Sequence, residues 1–202
     1  VVFERDVEIR HLITTVIIRT AEPDPYSSTD SLTLLSQMQA YWNANLGSIP
    51  RDTAHLFTAK NMGAVVGRAF LGHVCDLPSA YGLSNTDSFA LLSCDSDTVT
   101  HEIGHNWNAD HCTCASPPYT MNPDIICALR FHPTLSIPPI VTHRNSRACL
   151  GTAPVNDAAG AALGVEPCGP RRTGQVVRHS SAPQFAARPR RYGCAAGPFD
   201  DD

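Results

Sequence analysis

Apolar and polar positions follow two rhythms along this chain of 202 residues. Residues 7–19 are rich in Val, Ile and Thr, the β-branched composition of a buried strand, and the prolines within residues 22–26 end it. Ser28, Thr29 and Asp30 then offer a helix cap. Leu32, Leu35, Met38 and Tyr41 or Trp42 recur at helical spacing as far as Gly47, so this Met and these aromatics are core positions of a helix. Residues 52–58 read as a strand in which His55 is a hydrogen-bonded core histidine. Residues 65–74, with Gly67 and Gly72, read as another. A loop rich in Ser, Gly and Asn follows, then a short strand at 89–93. Asp95 or Ser96 reads as the N-cap of the next helix, where Asp95 and Asp97 also suit the positive end of its dipole. Pro138 and Pro139 fit the first turn of a last helix running toward Arg147. Beyond Cys149 the periodicity disappears, and residues 151–202 read as a flexible basic tail or linker ending in three aspartates.

The helix expected after residue 95 carries the chemistry. It holds His101, Glu102 and His105, followed after a short gap by His111. Positions i and i+4 of a helix lie on one face, so the imidazoles of His101 and His105 can converge on one cation. His111 cannot share that face with the right reach, so the chain must leave the helix and turn sharply back to present it. Such a turn wants a residue with positive φ, and Asn108 stands there; Asn is the non-glycine residue that takes this region most readily. Three protein ligands leave a zinc with an open position, whereas a structural zinc site is usually closed by four. Glu102 beside them is placed as a general base that takes a proton from a metal-activated water and returns it to a leaving amine. The expected cofactor is therefore Zn2+ on His101, His105 and His111, and the expected reaction is hydrolysis of peptide bonds in a protein or peptide substrate. The alternative is a zinc-stabilised binding or adhesion module without catalysis, to which Glu102 would be of no use.

Charge and cysteines narrow the setting. A net charge of -4 gives no footprint for nucleic acid. No apolar run approaches the roughly 18 residues of a membrane-spanning helix. The eight cysteines, at 75, 94, 112, 114, 127, 149, 168 and 194, are even in number and dispersed, which reads as disulfides and a secreted or extracellular protein. Cys75 with Cys149 would close a long loop around the active-site helix. Cys127 is close enough in sequence to pair with Cys112 or Cys114, and Cys168 with Cys194 would staple part of the tail.

A wider set of residues resembles a known family. The segment from Ala54 to Thr58, Gly67 to Gly72 with Cys75, the run from His101 to Asn106, and Asn145 to Leu150 are together similar to the reprolysin (adamalysin) branch of the metzincin metallopeptidases. The likeness spans about residues 7–150, which makes residues 1–150 a single catalytic domain. It implies an α/β fold: a twisted, mostly parallel sheet with one antiparallel edge strand, an active-site helix and a small C-terminal subdomain after His111. It implies that Ala69, Phe70, Leu71 and Gly72 lie in the edge strand that pairs with an extended substrate. It also implies that Met121, ten residues past the last histidine, forms the methionine turn beneath the metal. A prodomain or further domains outside this chain belong to the same expectation. The family pattern has glycine where this chain has Asn108, and a strand and long helix ahead of residue 7 for which the chain has no room, so it reads as a fragment.

Overall fold

A computed structural model describes residues 2–114 and 116–151 of the chain. It opens with a short helix, α1 (Val2–Val7), whose Val2, Phe3 and Val7 are buried. The strand expected over residues 7–19 does not form. Val7 and Ile9 turn into the core, but Ile13 is 84% exposed, Ile18 is 79% exposed, and Leu12 and Val16 also face outward. β-Branched composition favours a pleated, half-buried surface only where a neighbouring strand supplies that surface. None pairs with this segment among the described residues.

The next helix follows its sequence signal closely. In α2 (Ser31–Asn45) the N-cap is Asp30, whose carboxylate accepts the Thr33 backbone N–H at 2.8 Å. Leu34, Leu35 and Met38 form the buried stripe, while Leu32 points out. That stripe packs on the sheet through a core that includes Tyr26, Tyr81 and Leu83.

The sheet has three strands, β1 (Ala54–Thr58), β2 (Gly67–Ala69) and β3 (Tyr81–Asn85), in the order β1-β3-β2. β1 runs parallel to β3, and β2 runs antiparallel to it at the edge. The architecture is thus mixed α/β with one antiparallel edge strand. β3 falls inside the segment read as a Ser, Gly and Asn loop. All five of its residues are buried, because helices cover the central strand on both faces and no alternation betrays it. Its Ser84 lies 2.9 Å from His55 Nε2, and burial pushes the His55 imidazole down to about 4, which makes His55 the core histidine expected. The strand expected over residues 65–74 shrinks to β2. Its pairing continues one residue further, through Phe70 N–H to Tyr81 O at 3.1 Å. Phe70, Leu71 and Gly72 therefore lie past the regular strand, which ends at Ala69.

Residues 89–93 are not a strand either: α3 (Leu92–Asn106) already begins there, with Leu91 at its N-cap and not Asp95 or Ser96. The last helix, α4 (Ile137–Asn145), carries its prolines in the first turn as expected and packs Ile140 into a second core with Phe3, Trp107, Met121 and Phe131. Cys75 pairs with Cys149. Cys127 pairs with Cys94, not with Cys112 or Cys114, which bridge each other. Residues 127–129 pack on the first turns of α3, and this brings Cys127 to a Cα separation of 4.4 Å from Cys94. Cys168, Cys194 and the tail lie outside the described residues. No helix among the described residues is long and apolar enough to cross a membrane.

Candidate active site

His101, Glu102 and His105 occupy the last turns of α3, where His101 is 3% exposed and Glu102 is 4% exposed. After Asn106 the chain folds sharply. Trp107 N–H reaches Ile103 O at 3.0 Å, Asn108 N–H reaches His105 O at 2.8 Å, and Ala109 N–H reaches Gly104 O at 2.9 Å. Asn108 holds φ at 73°, the left-handed conformation its position demanded. The turn brings His111 back, and its Nε2 lies 3.0 Å from that of His101 and 3.2 Å from that of His105, which are themselves 3.1 Å apart.

These three nitrogens fit a metal ion. His101 Nδ1 lies 2.7 Å from Thr120 O, and His105 Nδ1 lies 2.7 Å from Ala109 O. A carbonyl only accepts, so each Nδ1 carries the hydrogen and each Nε2 presents a lone pair. Burial lowers the affinity of both rings for a second proton, taking His101 down to about 4. Two neutral rings then aim lone pairs at each other at 3.1 Å, an arrangement that a cation between them would stabilise, so the three histidines could hold a metal ion. Nitrogens at about 2.0–2.1 Å from one tetrahedral ion would be spaced about 3.3 Å apart, close to the separations found.

Glu102 lies beside this cage. Its Oε2 is buried and has no hydrogen-bond partner among the described residues, and burial raises its carboxyl to about 8. A cation in the cage acts in the opposite direction and favours the carboxylate. The side chain has no freedom toward the sheet. A Cβ on Gly67, in β2, would fall 2.6 Å from Glu102 Cγ and 2.7 Å from its Cδ. Met121 is fully buried against the other side of α3. A Cβ at Gly104 would sit 2.7 Å from its Sδ, so glycine there lets the methionine press on the helix between His101 and His105.

The sheet edge and the cage are joined through backbone. Gly72 N–H donates to His105 O at 2.8 Å and Val74 N–H to Asn106 O at 3.1 Å. Asn106, fully buried, donates its Nδ2 to Phe70 O at 2.8 Å and Tyr81 O at 3.0 Å, while its Oδ1 accepts from Thr53 at 3.2 Å. A cleft of about 690 Å³ runs between β2 on one side and Pro123 and Ile125 on the other, with His101, Glu102, His105 and His111 at its floor. The structure therefore brings the three histidines, Glu102, Ala69 and Leu71 to one cleft and sets Met121 behind it. Sequence reasoning missed Asn106, Gly67, and the carbonyls of Thr120 and Ala109. Only Asn106 had a visible signal, as a polar residue that continues directly from the second histidine at the helix end.

Three imidazoles that could hold a metal ion and a buried carboxylate thus meet in one open cleft. The chain belongs to metallo-peptidase family M12, whose sequence pattern, of the reprolysin kind, matches residues 1–178. The resemblance drawn from the motifs is thus borne out, and a metallo-peptidase family implies a metal cofactor, which His101, His105 and His111 could hold. The chain is also similar to the human disintegrin and metalloproteinase domain-containing protein 9, with 32% identity over 81 residues, covering 35% of this chain and 9% of that protein. It spans only a small part of that relative's length.

Proposed function

We propose that this chain is the catalytic domain of a secreted zinc-dependent endopeptidase with a metzincin-type fold, in which α3 is the active-site helix and the residues after His111 form the smaller subdomain. The observation that carries this reading is the pair of features at the cleft floor: three Nε2 atoms converging within 3.2 Å, and beside them the buried Oε2 of Glu102, which has no hydrogen-bond partner among the described residues. His101, His105 and His111 would hold the zinc. What zinc supplies when bound is Lewis acidity, which acidifies water and polarises a carbonyl oxygen. Glu102 accepts the proton of the attacking water and, once protonated, delivers it to the leaving amine. Ala69, at the end of the edge strand β2, and Leu71 just past it offer the substrate main chain an extended edge, and the bonds of Phe70 and Gly72 to Asn106 and His105 hold that edge at a set height over the cage. Met121 supports the floor. The three disulfides among the described residues support an oxidising, extracellular setting.

The test is metal content measured together with casein or gelatin cleavage, with and without a chelator. Zinc in stoichiometric amount, cleavage, and its loss on chelation are expected, with recovery when zinc is returned. Zinc without cleavage would convert the domain into a binding module, and cleavage indifferent to chelation would remove the metal from the reaction.

The turn at Asn108 gives a second expectation. Asn108→Gly should retain zinc affinity, because glycine adopts positive φ without a Cβ clash. Asn108→Val should weaken it by well over the roughly 1 kcal/mol that separates Asn from Gly there, since a β-branched residue resists this region and would displace His111. Competition with a chromophoric chelator compares the three proteins, and equal affinities for the Gly and Val variants would show that the turn does not govern the third ligand.

A further inference from the structure

Asp97 lies one helical turn before His101 on the same face of α3 and is fully buried, although it takes no part in the chemistry above. Its carboxylate accepts three hydrogen bonds. Oδ1 receives the Thr120 hydroxyl at 2.7 Å and the Leu129 backbone N–H at 3.0 Å, and Oδ2 receives the Ala128 N–H at 2.9 Å. The backbone around these donors is unusual. Cys127 and Leu129, neither of them glycine, hold φ at 56° and 48° on either side of Ala128. Consecutive N–H groups bent toward one point form an anion-binding concavity, and here the anion is the Asp97 side chain itself.

Thr120 joins this nest to the metal cage. Its hydroxyl donates to Asp97, while its carbonyl accepts His101 Nδ1–H at 2.7 Å. The same hydroxyl accepts Arg130 N–H at 2.9 Å, and Thr120 N–H donates to Arg130 O at 2.8 Å. Every hydrogen-bonding group of Thr120 is therefore engaged, and the carbonyl that orients His101 is immobilised from the Asp97 side. Met121 follows directly, and its carbonyl accepts Cys112 N–H at 2.8 Å, next to His111.

We propose that Asp97 is a positioning residue: acting through Thr120, it sets the tautomer and orientation of the His101 imidazole and thereby the metal affinity of the cage. The carboxylate is needed because it is an acceptor at both oxygens. In Asp97→Asn the amide nitrogen must face either Ala128 N–H or Leu129 N–H, donor against donor, and the nest opens. Groups that orient metal-binding imidazoles in this way typically carry about 10- to 100-fold in metal affinity.

The inference rests on the three-histidine metal site, and the experiment separates the two. Zinc affinity is measured by competition with a chromophoric chelator for the parent chain, Asp97→Asn and Thr120→Val, alongside the thermal midpoints of the metal-free proteins. Asp97→Asn is expected to bind zinc on the order of 10- to 100-fold more weakly. Thr120→Val, which loses the hydroxyl but keeps the carbonyl, is expected to show a smaller loss in the same direction. A purely structural Asp97 would lower the midpoint and leave the affinity of the folded protein at the parental value, and that result overturns the proposal. If Asp97→Asn does not fold, Thr120→Val decides alone: parental affinity in that variant overturns the role assigned to Asp97. A parent chain that takes up no zinc would instead sink the metal site and this role with it.

Discussion

Replacing Glu102 with glutamine is expected to lower peptide hydrolysis on the order of 100-fold or more while zinc stays bound. The amide is close in size to the carboxylate and fits the same buried place, so the three imidazoles on the cage side have no reason to move. What it lacks is basicity: it cannot take the proton of an attacking water or carry it to the leaving amine. The buried Oε2 of Glu102, with no hydrogen-bond partner among the described residues, is the atom on which this depends. The measurement is turnover of casein at matched metal occupancy. A variant that holds zinc and cleaves at the parental rate would leave Glu102 without its assigned role.

Gly67→Ala should reproduce much of that loss from the opposite wall of the cleft. A methyl group at this position would sit 2.6 Å from Cγ and 2.7 Å from Cδ of Glu102, well inside contact distance, and the backbone of β2 is held by its pairing with β3. The carboxylate must yield, and it is bound to a helix that cannot shift without moving His101 and His105. A displacement of about 1 Å of a catalytic group costs on the order of 100-fold. The loss should fall on kcat with zinc content near the parental value, while the overpacking, at about 1–3 kcal/mol, lowers the thermal midpoint by several degrees. A Gly67→Ala protein with unchanged kcat would show that Glu102 has more room than the geometry gives it.

The contrast between these positions explains how much was legible beforehand. His101, Glu102, His105 and His111 could be read because their spacing is a property of a helix and one tight turn, both local. The Asp30 cap, the stripe of α2 and the prolines of α4 are local for the same reason. Asn108 was legible as a positive-φ position because the return of His111 left the backbone no other course. By contrast, β3 is defined by what covers it on both faces, and its run from Tyr81 to Asn85 carries neither alternation nor β-branched residues. Residues 7–19 erred in the opposite direction: the composition of a strand was present and the pairing partner was not. Gly67 looked like punctuation in a strand, yet its missing side chain is the space that Glu102 occupies. Asp97 was read as a helix-dipole residue near the N-terminus of α3. Its real partners lie 23 or more positions further along the chain, and no local rule reaches them.

The three disulfides among the described residues are nested. Cys75–Cys149 encloses Cys94–Cys127, which in turn encloses Cys112–Cys114. All three histidines and Glu102 fall inside the outer loop, so a single backbone cut anywhere between Cys75 and Cys149 leaves one covalent molecule. For the peptidase proposed above, this arrangement means that a nick between Cys75 and Cys149 severs the sequence without releasing a fragment.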